Sequence, residues 1–391
     1  MAQPTIAIQS DQGLKRSLRN AKLIYVFFYG AIGFYVTFFT IFLQRKGLSG
    51  TQIGWLSSIP PLVALVANPI WSTLADRFRA HRQISSFMAF IAGTVTLFFL
   101  NADQFWLLML LVILLYFHRD PLLSFIDSAA IDLSIRSGEE YGRLRVWGSI
   151  GFIGASYGLG KLLTNTPIEI MFWLQAGFLG LGVSILALTM PIRQQVKPDI
   201  WKGLTFLLSK RQTGMFLLSN ALFGTGLSFV LYMGLHILEI GGTNAHVGLF
   251  FAAKAILEVP MMFMGGSLFR RFGNRPLVIA GLFGQALILG GMALAVTPNQ
   301  LIFTIGIMGI SFAIYHIAVV GFANEIAPEG METTTQALAN ACIFGFGNSF
   351  GAILYGAIWD LADGHAILWT ATAATLLATL VFWLGSRQGK S

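Results

Sequence analysis

Cysteine is nearly absent: Cys342 stands alone in 391 residues, which excludes an intramolecular disulfide and a cysteine-based metal cluster. Charge is scarce too, at 11% of the chain, where an ordinary soluble domain carries about a quarter. No Walker loop occurs, so nucleotide hydrolysis is not expected to power the protein, and HExxH, GxSxG and Cys/His sets are missing as well. The expectation is a non-enzyme with no metal and no cofactor. The opening MAQPTIAIQSDQGLKRSLRNAK is polar, and the first apolar run is as long as a membrane span with no small-residue cleavage site after it. A removable signal peptide is therefore not expected.

What the chain has instead is apolar surface, with 55% hydrophobic residues and 34 phenylalanines. That composition defines an all-α integral membrane protein. A spanning helix needs roughly 20 mostly apolar residues, and twelve such runs are present, over 22–44, 52–74, 84–101, 105–133, 144–164, 168–191, 213–238, 246–269, 276–296, 300–325, 334–358 and 365–386. The net charge of +8 does not point to nucleic acid, because the Lys and Arg sit in short clusters between apolar runs. Lys15, Arg16, Arg19 and Lys22 precede the first run, and Arg77, Arg79 and Arg82 follow the second. Arg193, Lys197, Lys202, Lys210 and Arg211 occupy the middle, while alternate loops are poor in cations. By the positive-inside rule both termini face the cytoplasm, and an even helix count agrees with that; the expected location is the plasma (inner) membrane.

The sequence repeats itself at a shift of 194 residues. TQIGWL at 51 returns as AHVGLF at 245, STLADRF at 72 as GSLFRRF at 266, and Gly30 pairs with Gly224. Two parallel, pseudo-symmetric six-helix bundles follow: a cytoplasmic tail over 1–21, a first bundle over 22–191, a linker over 192–212 and a second bundle with a short tail over 213–391. Transporters built on such repeats hold their substrate near the midplane between the halves. Within the linker, DIWKGLTFLLSK is amphipathic enough to lie on the membrane surface. Glycines 148, 151, 154 and 158 in the fifth run and 345, 347, 351 and 356 in the eleventh allow close helix packing.

Several ionisable residues fall inside the spans, where each charge costs at least about 2.5 kcal/mol unless it faces a bundle interior or water. His118, Arg119, Asp120 and Asp127 continue the apolar run 105–117, and Arg145 opens the next. Asp120 and Asp127 lie two turns apart, on much the same helix face. Pro121 can free backbone carbonyls nearby as polar lining. An Arg119 facing a cavity suits an anionic substrate; the alternative is an internal partner for Asp120 or Glu258. Asp127 and Arg145 stand on consecutive helices joined by a short loop and can meet, either as a structural pair or in substrate binding.

Lys254 and Glu258, at i and i+4, share one face inside FFAAKAILEVPMMFM. Glu258 is the leading candidate to carry a proton, ahead of Asp120 and Asp127, with Lys254 its counter-ion. His316 is either a proton relay or a buried histidine with one satisfied hydrogen bond. Asn324 and Glu325 come near the cytoplasmic end of their helix, where a gate would sit. Tyr29, Tyr35, Trp147 and Tyr315 can stack on a ring-bearing substrate or simply pack. Asp76 and Arg77 lie in the second loop, where Arg77 also serves as a topology signal.

NPIWSTLADRFRAHR at 68–82 resembles the loop signature of the major facilitator superfamily, with Ser72 in place of its first glycine, and GGSLFRRFGNR is a weaker second copy with Arg270 at the acidic position. FFYGAIGFYVTFFTIFLQRKGLSGTQIGWL, YGRLRVWGSIGF and TTTQALANACIFGFGNSFGAILYGAIWD resemble the proton-coupled branch that contains phenylpropionate, nucleoside and lactose permeases. The resemblance implies alternating-access transport of a small-molecule substrate with protons, by a monomer embedded in lipid. It also implies that Asp76 and Arg77 brace the closed cytoplasmic side, that Asp127 and Arg145 hold the positions of a sugar-binding pair, and that Glu258 matches an acidic residue of the eighth helix. Two other readings stand beside uptake: a proton-driven exporter of amphipathic compounds, favoured by the Phe-rich interior, and a transport-inactive receptor.

Overall fold

Inside a bilayer no water satisfies backbone N–H and C=O groups, so apolar runs of this length close their hydrogen bonds internally as helices. The computed structural model describes residues 11–190 and 211–387, with backbone alone at 11–12, 259 and 262–270. The described residues form α1 (Asp11–Arg45), α2 (Gly50–Phe78), α3 (His81–Phe98, extended by a 3₁₀ turn to Asn101), α4 (Phe105–Ser137), α5 (Tyr141–Leu162) and α6 (Ile170–Ala187). The second half adds α7 (Arg211–Glu239), α8 (Asn244–Phe272), α9 (Asn274–Ala293), α10 (Pro298–Ile326), α11 (Glu332–Leu361) and α12 (Gly364–Ser386). The linker 192–212 and its amphipathic stretch lie almost entirely outside the described residues, as do the side chains of most of GGSLFRRFGNR.

Eleven of the twelve expected spans begin and end within about four residues of these helices. The exception is α1, which starts at Asp11 instead of Lys22. Its first turns are held against the bundle rather than left as a tail: Lys22 pairs with Glu139 at 2.8 Å and Asn20 donates to Thr189 at 3.1 Å. Among the described residues ten helices are long and apolar enough to cross a membrane; α5 carries Arg145, and α8 carries the Lys254/Glu258 pair. The chain is a multi-pass membrane protein.

The repeat extends to backbone dihedrals. Gly47 and Gly241, 194 residues apart, end their helices at φ 83° and 84°. Arg79 and Gly273, at the same shift, take φ 52° and 76°. Arg79 is the one non-glycine residue with positive φ among the described residues, a conformation that costs roughly 1–2 kcal/mol without glycine. The chain accepts it in order to stop α2 and turn into α3.

The halves meet along two seams related by the same shift, α2 against α11 and α5 against α8. A Cβ on Gly54 would overlap the Ala352 carbonyl, and one on Gly248 the Ser156 carbonyl. Hydrogen bonds between the halves cluster toward the end that carries the α1–α2 and α11–α12 loops. There the Asp360 carboxylate accepts from the Gly50 N–H (2.5 Å), the Thr51 N–H (2.8 Å) and the Thr51 hydroxyl (2.6 Å), so α11 of one half caps the N-terminus of α2 in the other. Tyr232 adds a bond to the Gly50 carbonyl at 3.0 Å. Anionic groups are favoured at helix N-termini, where free N–H groups and the helix dipole meet them.

Asp360 is solvent-exposed, so three bonds of about 0.5–1.5 kcal/mol each overstate its net worth. A loss near 2 kcal/mol still exceeds a tenfold shift of a two-state balance. Asp360→Ala is therefore expected to loosen this end. Spin labels at Gln52 and Ala362, on a Cys342→Ser background, should report longer distances by pulsed electron resonance; an unchanged distribution would remove the cap from the closure.

Candidate substrate and coupling site

Between the seams lies a cavity of about 330 Å³ whose walls come from both halves. Tyr29 of α1 and Arg145, Ser149 and Phe152 of α5 supply one side; Phe250, Phe251, Lys254 and Glu258 of α8 supply the other. A second lobe of about 230 Å³ shares Val36, Val230, Lys254 and Ile305 and runs on to Phe312, Phe344 and Asn348. Two breaks in regular helix feed this space. α7 is interrupted just before Val230, and α11 passes through a π segment, Ala341–Gly347, that contains Phe344. Such segments recur at functional sites because they re-aim side chains within a helix.

Lys254 and Glu258 face each other at 3.7 Å. Their side chains retain 28% and 21% of their exposure, so water in the cavity reaches both. The Lys254 ammonium sits 4.0 Å from the Phe312 ring centroid, and the His316 ring stacks on that same ring at 5.7 Å and 8°. His316 Nδ1 is buried without a hydrogen-bond partner. Lysine, phenylalanine and histidine thus form a column from the cavity into the second half.

Asp127 and Arg145 do not form the direct ion pair that their helix positions suggest. Tyr25 and Tyr29, at i and i+4 on α1, come between them. The Tyr25 hydroxyl donates to Asp127 at 2.6 Å, while Arg145 donates to the Tyr29 hydroxyl. The guanidinium lies 4.1 Å from the Tyr29 ring centroid and 5.6 Å from that of Tyr25. Arg145 lines the cavity and Asp127 does not.

Asp120, on the same helix as Asp127, is the internal partner of Arg119 that the sequence left open. It accepts from Arg119 Nη2 at 2.9 Å and Nε at 3.1 Å, and Arg119 is 4% exposed, with its guanidinium 3.9 Å from the Tyr116 ring centroid and 5.9 Å from that of Tyr35. This cluster, Tyr35 included, belongs to the interior of the first half and is not part of the cavity lining. Asp120 thus satisfies Arg119 locally. Pro121 does free a carbonyl, since a proline removes the hydrogen bond to residue i−4. That carbonyl, Phe117, takes up the Trp71 indole N–H at 2.9 Å and is not polar lining.

Trp147 is 38% exposed and lies outside the cavity lining. Tyr315 is buried, with its hydroxyl on Asn220 at 2.6 Å. Asp76 bonds His81 at 3.0 Å across the α2–α3 turn, and Arg77 is exposed. Asn324 accepts from Gln336, joining α10 to α11, and Glu325 accepts from Asn274, joining α10 to α9. Each of these bonds lies within its own half. Tyr25, Phe312 and Asp360 are not among the residues the sequence singles out. Tyr25 was signalled by its i,i+4 spacing to Tyr29, and Asp360 by being the one acidic residue closing ILYGAIWD; Phe312 carried no signal among so many phenylalanines.

Two repeated six-helix bundles around a cavity that carries ions define a membrane carrier. The chain belongs to the major facilitator superfamily: the model of the MFS_1 like family matches residues 18–371. It is 28% identical over 376 residues to the maltose permease of Geobacillus stearothermophilus, covering 94% of each chain. To the probable 3-phenylpropionic acid transporter of Escherichia coli (strain K12) it is 25% identical over 383 residues, 93% of this chain and 96% of the other. The crystal structure of the nucleoside transporter NupG superposes with a TM-score of 0.81 at 15% identity, over 96% of this chain and 99% of that one. The protein is a transporter of small solutes and not an enzyme.

Proposed function

We propose that the protein imports a small organic solute with protons by alternating access, Glu258 carrying the proton. The observation that carries this reading is the Lys254–Glu258 pair at 3.7 Å in the wall of the cavity between the halves. A carboxylate held by a neighbouring cation, with water at hand, binds a proton more readily when solute or conformation draws that cation away. Lys254 belongs to both lobes, so solute entering either one meets it. Positive-inside loop charge puts the Asp360 seam outside, with the cavity on the cytoplasmic side of the closure. Asn324, Glu325, Asp76 and Arg77 then lie at the inner ends of their helices, where a gate closes. Both walls come from one chain, so a monomer suffices.

The test is uptake of radiolabelled maltose, uridine and 4-phenylbutanoate into proteoliposomes under an inward proton gradient. Accumulation of one of them that a protonophore abolishes is the expected result. Efflux accelerated by the same gradient would replace import by export, and binding without movement would make the protein a receptor. Asp127→Asn, which weakens the acceptor that orients Tyr25, is expected to reduce accumulation severalfold; wild-type accumulation would take Asp127 out of the mechanism.

A further inference from the structure

The charges lining the cavity do not balance. Lys254 and Glu258 neutralise each other at 3.7 Å, which leaves Arg145. Among the described residues no carboxylate lies within ion-pair distance of its guanidinium. Its contacts are the Tyr29 hydroxyl and two tyrosine rings, and Asp127, the nearest candidate on α4, is engaged by Tyr25. Two cations against one carboxylate leave one positive charge on the wall. An arginine in a half-buried wall with only neutral partners retains N–H donors of fixed geometry suited to a carboxylate.

The rest of the lining is poor in hydrogen-bonding groups. Beyond those three ions the main cavity offers the Tyr29 and Ser149 hydroxyls and is otherwise apolar or aromatic. In the second lobe Asn348 is the sole uncharged polar side chain, and its carbonyl oxygen already accepts from Ser228 at 2.6 Å. A saccharide stripped of water needs a partner for nearly every hydroxyl, because unpaired buried polar groups are costly. These walls do not supply them.

From this charge and lining we infer that the solute is a small amphipathic monoanion, its carboxylate held by Arg145 and its apolar body lying against Phe250, Phe251 and the Phe312 lobe. This inference rests on the transport reading only in taking the cavity as the solute site. It is tested by equilibrium binding without any gradient, so a failure of proton coupling and a failure of anion recognition are distinguishable.

The experiment measures binding to the purified full chain by titration calorimetry, with 4-phenylbutanoate, its primary amide, uridine and maltose as probes. The acid is expected to bind at least about tenfold more tightly than the amide, the difference between a charge-assisted and a neutral partner, and more tightly than uridine or maltose. In Arg145→Gln that preference should vanish while the weak affinity for the amide remains. Where that variant does not purify as a monodisperse species, Arg145→Lys decides, with an expected severalfold loss for the acid alone because a point charge cannot reproduce the guanidinium fork. The inference is overturned if acid and amide bind equally to the wild type, if maltose or uridine binds more tightly than the acid, if none of the four binds, or if the preference for the acid survives in the variant tested.

Discussion

Glu258→Gln is expected to abolish accumulation of solute against its gradient while leaving exchange of internal for external solute intact. An imposed gradient of about one pH unit is worth about 1.4 kcal/mol per proton, enough for a tenfold accumulation at one proton per solute. With no titratable group at position 258 that drive is lost, and the internal concentration should level off at about the external one. The glutamine keeps the volume of the side chain, and Lys254, 28% exposed to the cavity, keeps its water and its contact with the Phe312 ring. Its loss of a partner therefore costs less than the roughly 3–5 kcal/mol of a fully buried orphan charge. Parallel assays of counterflow and gradient-driven uptake separate the outcomes. Accumulation by Glu258→Gln at the wild-type level would move proton coupling to another group, and loss of counterflow as well would assign Glu258 to solute binding.

The second large effect is expected at the α5–α8 seam. A Cβ on Gly248 would lie 2.3 Å from the Ser156 carbonyl oxygen and one on Gly160 2.6 Å from that of Asn244, too close for either to fit. Asn244 Nδ2 also donates to the Leu163 carbonyl at 3.2 Å. Gly248→Leu places a branched side chain against backbone that has nowhere to go. Overpacking of ordinary cores costs about 1–3 kcal/mol, and a seam between two rigid bundles can relieve it by parting. The variant should retain solute binding, lose turnover and favour the conformation in which this end is open. The readout is a cysteine at Phe251, in the cavity wall, on a Cys342→Ser background. A membrane-impermeant maleimide added on the side of the α1–α2 loop should label it at least about tenfold faster with Gly248→Leu than without, as a population shift of 1.4 kcal/mol requires. Equal labelling rates together with wild-type turnover would show that the seam does not move during transport.

The Lys254–Glu258 pair and the Gly248 contact differ in how far the sequence shows them. The i,i+4 spacing of Lys254 and Glu258 lies within one helix, whose geometry is fixed, so their pairing follows from the sequence. Gly248 is legible as the repeat partner of Gly54, but that its helix presses on Ser156 is a fact of how two halves dock. Asp127 and Arg145 show the limit. Their helices are neighbours, yet whether the side chains touch depends on the rotation of each helix about its axis and on what a third helix inserts, and α1 inserts Tyr25 and Tyr29. Likewise the spacing of Asp120 and Asp127 put them on one face, but Arg119, one residue away, claimed Asp120.

By itself the sequence determined the lipid-embedded class, the twelve helices, the twofold internal repeat and the ions that had to be sheltered. Those follow from one local constraint, that a chain in hydrocarbon must satisfy its own backbone and hide its charge, which every stretch of about twenty residues obeys without reference to the others. Only the tertiary structure decided which ions share the cavity, which arginine is left without a carboxylate and which carboxylate, Asp360, fastens one half to the other. These depend on contacts between residues far apart in the chain, such as Gly50 with Asp360, whose geometry is set by helix packing and not by periodicity.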